Sequence, residues 1–490
     1  MANESLHIGT WTNSAVSTYP STTNTFPSGL FGTQERNDSS KYSFNTARAT
    51  VTLPSSDLAD GYLVLVNIPL NVTHNNRSTA IGQLSLTNGT GNFVSPKASG
   101  YARNNSWSEH SISVWAFVDS PSTGVDVQFT WFRDTGDGTV AGTVLGATFR
   151  VISLYYNDVS MYTSTVNNLY GGTTPNTVDL STTVVEGTNI TKTSNTVTVT
   201  GDNKKYLILS GHYSEGRSGR TQRWLANEYD ATLARDAMTA IYYRDTGTDK
   251  MGRGITDIIE TSTADRTINL KMWRGDGVSP TTLGGANGDG STPAVTEVGL
   301  VVIELPDTAA AIKSTDNTGL QNLNVDGGTV LNVSRNVVFD EPGTLDPINP
   351  AAIGPVGYTV DTDNDLLVGS NVSAAYTTAS GTRFIGFISI IGGEEYINSV
   401  RDYNYGRGNQ GTTDTYGFSN NVVGIINSTM AAAGGTVTTP YFAGGIISTQ
   451  GNDAVTQGPV QTQPTWVGTF ALDLESLVPA TATKRYFIIS

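Results

Sequence analysis

The sequence predicts an all-β chain, built as three tandem antiparallel β-sandwiches of the jelly-roll kind. Three observations carry this. Many Val, Ile, Thr and Tyr residues stand beside 53 glycines, and only 14% of residues are charged. That is the balance of short strands separated by turns. Strongly apolar strand-like runs come in pairs, and the pairs recur along the chain. Helix signals are nearly absent. The one tempting stretch, EYDATLARDAM (228–238), has a counterpart in TGNFVSPKASG (90–100) that lacks helical spacing.

The 490 residues suggest about three domains at roughly 100–200 residues each. The first copy opens with GYLVLVNIPL (61–70) and closes with ATFRVISLYY (147–156). The second opens with KYLILSGHYS (205–214) and closes with VGLVVIELPD (298–307). The third is read from RFIGFISIIG (383–392) to GTFALDLESL (468–477). Opening and closing runs lie roughly 85–95 residues apart each time.

Shorter strands fill the interval. VDVQFTWFRDTGDG (125–138) returns as TINLKMWRGDG (267–277), and SGYARNN (99–105) answers to AIYYRDT (240–246). Val127, Phe129 and Trp131 alternate with polar residues, as do Ile268, Leu270 and Met272. Each is therefore a half-buried strand with its apolar face on a core. Arg133 and Arg274 are expected to be strand-end residues that pair with nearby backbone or acids.

Connecting segments also read as strands, in VVEGTNITKTSNTVTVTG (184–201) and QNLNVDGGTVLNVSRNVVFDEPG (321–343). EPGTLDPINPAAIGPVG (341–357) holds four prolines, which excludes a helix or a central strand and implies a stiff connector. The expected division is 1–157 and 158–307 for two sandwiches, 308–382 for a connector with short strands, and 383–490 for the third sandwich. A unit of this size is best solved as two sheets packed face to face. Propellers and β-helices need shorter periods than any seen.

Composition excludes several functions. The net charge is −15, with no basic run, so phosphate backbones and anionic membranes are poor partners. The chain has no cysteine, which removes disulfides, thiol catalysis and Cys-ligated zinc. The start MANESLHIGTWTN has neither a basic nor an apolar signal region, and no apolar run is long enough to span a bilayer as a helix.

Candidate chemistry is sparse. His7, His74, His110 and His212 show no metal-ligand spacing, and the expectation is isolated surface or strand-end histidines. Glu394 and Glu395 are adjacent, so on a strand they face opposite ways and cannot form a carboxylate dyad. Asp361, Asp363 and Asp365 alternate as in some calcium loops. They lack the glycine and terminal glutamate of an EF-hand, and a polar turn is the preferred reading. The sequons at Asn71 and Asn88, the Gly-Asp-Gly and Asn-Gly-Asp-Gly stretches (136–138 and 287–290) and the Arg-Gly-Asp at 274–276 read as turns. No catalytic residue, cofactor or metal is expected. Among seven tryptophans, Trp131 is a core residue by its alternation. Trp107, in RNNSWSEHS, and Trp224, in GRTQRWLANE, stand in polar runs and are the candidate contact residues.

In its whole character, with Thr/Gly/Asn-rich strands, the MANES start and tandem divergent sandwiches, the chain resembles the decoration, cement and fibre proteins of tailed bacteriophages. The resemblance spans the full chain and rests on no single motif. It implies a non-enzymatic virion protein, assembled in the host cytoplasm, which binds the major capsid protein or another virion protein and stabilises the shell. It implies no nucleic-acid or membrane partner. Three chains could form a trimer, or three divergent domains could surround a local threefold as a monomer. A fibre or receptor-binding protein that meets host glycans is the alternative. A carbohydrate-active depolymerase is the alternative of a different class, and a surface adhesin a third.

Overall fold

The apolar runs paired in the sequence are hydrogen-bonded neighbours in the computed structural model. The structure describes residues 6–479 except 56–58, 73–77, 103–108, 123, 135–140, 165–167, 170–174, 216–219, 231–234, 245–249, 275–281, 284–296, 317–320, 326–328, 334–336, 340–364, 378–382, 392–399, 408–414, 427–440 and 451–465. The core strands of the first unit are β1 (Ile8–Asn13), β2 (Thr50–Leu53), β3 (Gly61–Val72), β4 (Ser78–Asn88), β5 (Ala98–Ala102), β6 (Glu109–Asp119), β7 (Val125–Arg133) and β8 (Ala147–Leu154). One sheet runs β1-β8-β3-β6 and the other β2-β7-β4-β5. First pairs with eighth, second with seventh, third with sixth and fourth with fifth. That nesting is a jelly roll.

The second unit repeats the order strand for strand. It contains β9 (Asp158–Ser164), β10 (Thr196–Val199), β11 (Lys205–Glu215), β12 (Arg220–Tyr229), β13 (Arg235–Arg244), β14 (Lys250–Glu260), β15 (Arg266–Arg274) and β16 (Glu297–Glu304). Its sheets run β9-β16-β11-β14 and β10-β15-β12-β13. The third unit contains β17 (Ala311–Asp316), β18 (Val337–Phe339), β19 (Leu366–Thr377), β20 (Arg383–Ile391), β21 (Val400–Arg407), β22 (Thr415–Ile426), β23 (Tyr441–Gln450) and β24 (Trp466–Asp473). Its sheets run β17-β24-β19-β22 and β18-β23-β20-β21. The ladders joining these core strands are antiparallel except that between β18 and β23. The repeated element of the sequence is β7 and β15, the seventh strand of its unit in each case. The stretch 228–238 holds the end of β12 and the start of β13, with no helix among its described residues.

The third unit corrects the sequence reading. Strands β17 and β19 fall in the segment read as a connector, yet both pair with β24 in one sheet. The run at 383–392, read as the opening strand, is the fourth strand β20 and lies in the other sheet. The true counterpart of β3 and β11 is β19, LLVGSNVSAAYT. Its middle is Gly-Ser-Asn, and the glycine has a steric reason: a side chain at Gly369 would overlap the ring of Phe470. The apolar signal used for alignment is therefore weaker there than in β20. Asn71, read as a turn, lies within β3 and pairs with Glu109. The proline-rich segment 341–357 lies outside the described residues.

Three hydrophobic clusters explain why the opening and closing strands are apolar on both faces. Val64, Val66, Phe149 and Val151 face Val127, Phe129 and Trp131 across the first sandwich. Tyr206, Ile208, Leu300 and Val302 face Leu225, Leu270 and Met272 across the second. The intervening residues of the same strands enter a third cluster shared by all three units. A strand buried on both sides reads as a continuous apolar run. No helix among the described residues is long and apolar enough to cross a membrane.

Candidate functional site

The shared cluster is organised in layers set by strand register. Leu63 pairs with Ile152 and Phe117. Leu207 pairs with Ile303 and Ile258, and Leu367 pairs with Leu472 and Ile425. All nine are buried in the shared cluster. Equivalent residues of three units thus meet in one apolar layer, which defines a pseudo-threefold axis.

Two residues along each strand, about 6.7 Å on, the composition becomes mixed. The first unit supplies Leu65, Trp115 and Arg150, the second Leu209, Thr256 and Val301, and the third Gly369, Val423 and Phe470. The next layer is polar or small: Asn67, Ser113 and Thr148, then Gly211, Gly254 and Gly299, then Asn371, Asn421 and Gly468. The glycines have a steric reason. A Cβ on Gly254 would stand 2.6 Å from the Trp115 indole nitrogen, and one on Gly299 would stand 2.7 Å from Val94. Trp115 is thereby seated on the second unit, and its Nε1 donates to the Ser210 carbonyl at 3.1 Å.

The units meet in cyclic order. Strand β5 packs on β14, β13 on β22, and β21 on β6. In each case the fifth strand of one unit meets the sixth of another, and the ring closes after three. At the first contact the Gly252 N–H donates to Ser99 Oγ at 2.7 Å, and Lys97 pairs with Glu297. At the third, Ser111 Oγ donates to Asp402 Oδ1 at 2.5 Å. Asp402, fully buried, also pairs with Arg253 of the second unit and accepts the Asn421 N–H at 3.0 Å. One carboxylate therefore joins side chains of the first and second units to the third. Further out, Lys313 Nζ reaches Asp257 at 2.6 Å, and Tyr229 OH donates to the same carboxylate at 2.5 Å.

A second ionic junction ties the first and third units. Arg36 forks onto Asp365 at 2.7 and 2.8 Å and onto Asp38 at 2.7 and 2.8 Å. Asp365 donates its N–H to Glu475 Oε2 at 2.8 Å. Burial first, then the charges of Asp365 and Asp473, push the Glu475 carboxyl up to about 7.

Between the mixed and polar layers lies a cavity of about 40 Å³, lined among others by Asn67, Ser113, Thr148, Arg150, Thr256 and Asn421. One water needs roughly 10–15 Å³ on this scale, so two or three water-sized groups fit. Burial pushes the Arg150 guanidinium down to about 10, with Glu35 opposing the change, so it is a cation at neutral pH. Among the described residues no group of three or more His, Asp or Glu could hold a metal ion.

The sequence candidates fall mostly elsewhere. Trp107 lies outside the described residues, as do His74, Asp361, Asp363, Glu394, Glu395 and the stretches 136–138 and 287–290. Trp224 sits on β12, a strand flanked on both sides, opposite Ala240 and Trp273. Its backbone is thus part of a sheet and not a polar loop. Of the aspartate triplet, Asp365 is described and is held by Arg36. His7, His110 and His212 are buried, which corrects the surface reading. His110 Nε2 hydrogen-bonds Tyr19 OH at 2.7 Å. Burial lowers the pKa of His7, the charge of Lys41 adds to this, and Asp38 opposes it. Trp131 is a core residue, as its alternation implied, and Arg133, also buried, ends β7 with its N–H on the Ser21 carbonyl at 2.6 Å. Phe26, at 44%, is the large apolar side chain exposed among the described residues.

Arg150, Arg253 and Asp402 were missed by sequence reasoning. Arg150 gave one usable signal, a charge inside the apolar run ATFRVISLYY. A scan against protein-family models finds no match to this chain, and a search of curated proteins finds none either.

Proposed function

We propose that this chain is a non-catalytic virion structural protein, a decoration or cement protein that seats on the outer shell of a tailed bacteriophage capsid and stabilises it. The observation that carries the reading is the closed ring of three non-identical jelly rolls within one chain. A single polypeptide with pseudo-threefold symmetry presents three related but distinct surfaces. That suits a threefold or quasi-threefold lattice position, where neighbouring subunits are chemically alike but not equivalently placed. Jelly rolls recur in viral capsid proteins, and also in lectins. A protein that binds the assembled shell and not the free subunit shifts the equilibrium towards the shell. The acidic surface calls for a neutral or locally basic partner, so attachment weakens as salt rises.

The test is to incubate purified protein with undecorated particles and image them. Regular density at threefold positions of the head is the expected result. Density on the tail instead supports the fibre reading, and release of reducing sugars from host polysaccharide supports the depolymerase. Trp107→Ala and Trp224→Ala are expected to lower occupancy, at about 2 kcal/mol or more for a true anchor, with circular dichroism unchanged. No binding to undecorated particles sinks the decoration reading.

A further inference from the structure

The chain has no cysteine, so no disulfide can lock the three units together. One seam holds a different pair of groups able to form a covalent bond. Lys313 stands on β17, the first strand of the third unit, and Asp257 on β14, the sixth strand of the second. Lys313 Nζ donates to Asp257 Oδ2 at 2.6 Å. The Tyr229 hydroxyl, from the end of β12, donates to the same oxygen at 2.5 Å. Both donors therefore converge on one carboxylate oxygen.

The surroundings set this pair apart from the other lysine–carboxylate contacts among the described residues. The Lys313 and Asp257 side chains are 15% and 5% exposed. Lys97 and Glu297 are both more open, and Lys204 meets an Asp307 that lies largely in solvent. Lys271 meets the buried Glu228 at a longer 3.4 Å. Tyr229 is itself buried, and Lys313 Nζ lies over its phenol ring, 5.1 Å from the centroid. Ring and hydroxyl together fix the amine beside the carboxyl group. Arg266 lies over the same phenol ring at 5.5 Å but pairs with Asp230, which leaves Asp257 to the lysine. Removing an ion pair from water is costly, and the mutual attraction repays this only in part unless the geometry is excellent. Condensation removes both charges at once and returns a water to solvent. Groups held in alignment react as though at about 10⁵–10⁸ M.

We propose that Lys313 and Asp257 condense to an isopeptide bond, a covalent tie between the second and third units. Lys313 passes one proton to Oδ2, and the freed Nζ lone pair attacks Cγ. A second proton moves from Nζ to Oδ2, which leaves as water while the Cγ–Oδ1 carbonyl re-forms. The ammonium and carboxylate thus become an uncharged amide and one water, and no oxidant or reductant is needed. Tyr229 keeps its hydrogen bond to Oδ2 throughout, which assists the departure of that oxygen. The tie is independent of the virion reading.

The experiment is mass spectrometry of the full chain, freshly purified and after storage, followed by tryptic mapping of the denatured chain. The wild-type chain is expected to be lighter than its sequence by one water. Trypsin should no longer cut after Lys313, and a branched peptide should join residues 254–266 to residues 275–335. Lys313→Arg keeps the ion pair but offers no amine, and should keep its full mass and yield no branched peptide. Tyr229→Phe keeps the aromatic ring and removes the donor, and should slow cross-linking about a hundredfold. The branched peptide is read in the wild-type chain, so the test does not depend on either variant folding. A wild-type chain that keeps its full mass after prolonged storage, or a loss of water that persists in Lys313→Arg, overturns the proposal. An unchanged rate in Tyr229→Phe overturns the part assigned to the tyrosine.

Discussion

The two faces of the inner sheets obey different rules. On the sandwich side, the first unit packs aromatics: Trp11 stacks on Phe44 at 4.4 Å, and Phe31 meets Phe149 edge-on at 5.5 Å. The second unit fills the same space with Tyr206, Ile208, Leu225 and Met272. On the axis side, the three units present near-identical residues, Leu63, Leu207 and Leu367, against Ile152, Ile303 and Leu472. A sandwich core answers only to its own two sheets, so its residues vary if total volume is kept. The axis layer is shared. A change of volume in one unit is felt at once by the other two, because the packing is dense.

The sharpest way to break the comparison lies at the junction. Asp402→Ala leaves Arg253 buried without its partner and is expected to cost about 3–5 kcal/mol. Calorimetry should then resolve the units as separate transitions. A cost below about 1 kcal/mol would mean that the apolar layers alone hold the ring.

Next come two adjacent residues on β11. Leu207→Ala and Ile208→Ala should each cost about 2–5 kcal/mol. They differ in reach. Hydrogen exchange should quicken in β3 and β19 as well as β11 for Leu207→Ala, and within the second unit alone for Ile208→Ala. The same spread for both substitutions would erase the distinction between the faces.

The smallest effect is electrostatic. Glu475 has its pKa raised from 4.5 to about 7, so the folded state holds the proton more tightly than the unfolded one. Its contribution is fully present below pH 4.5 and is lost as pH rises through 7. The group is only half-buried, so solvent screening holds the effect to about 1 kcal/mol. Denaturant midpoints should fall between pH 5 and pH 8, and Glu475→Gln should flatten that slope. A slope unchanged in the variant places the titration elsewhere.

Much of the scaffold could be read without coordinates. Alternation in VDVQFTWFR and TINLKMWR marks half-buried strands, because the strand period of two needs no tertiary information. The double-faced burial of GYLVLVNIPL and KYLILSGHYS was equally legible, since no polar residue interrupts either run for several positions. What covers the second face was not. That Leu63, Leu207 and Leu367 share a layer depends on register between segments roughly 150 residues apart, and only the folded chain sets that register. The third unit escaped alignment for a related reason. Gly369 exists to make room for Phe470, a constraint invisible until the two strands pair. The junction groups are the extreme case. Arg150, Arg253, Asp402 and Asn421 sit in four different strands with no common motif. Each local sequence determines that its residue lies on a strand. Only the closure of the three-membered ring decides that they come together at the junction of the units, because charge and desolvation act through distance and not through sequence separation.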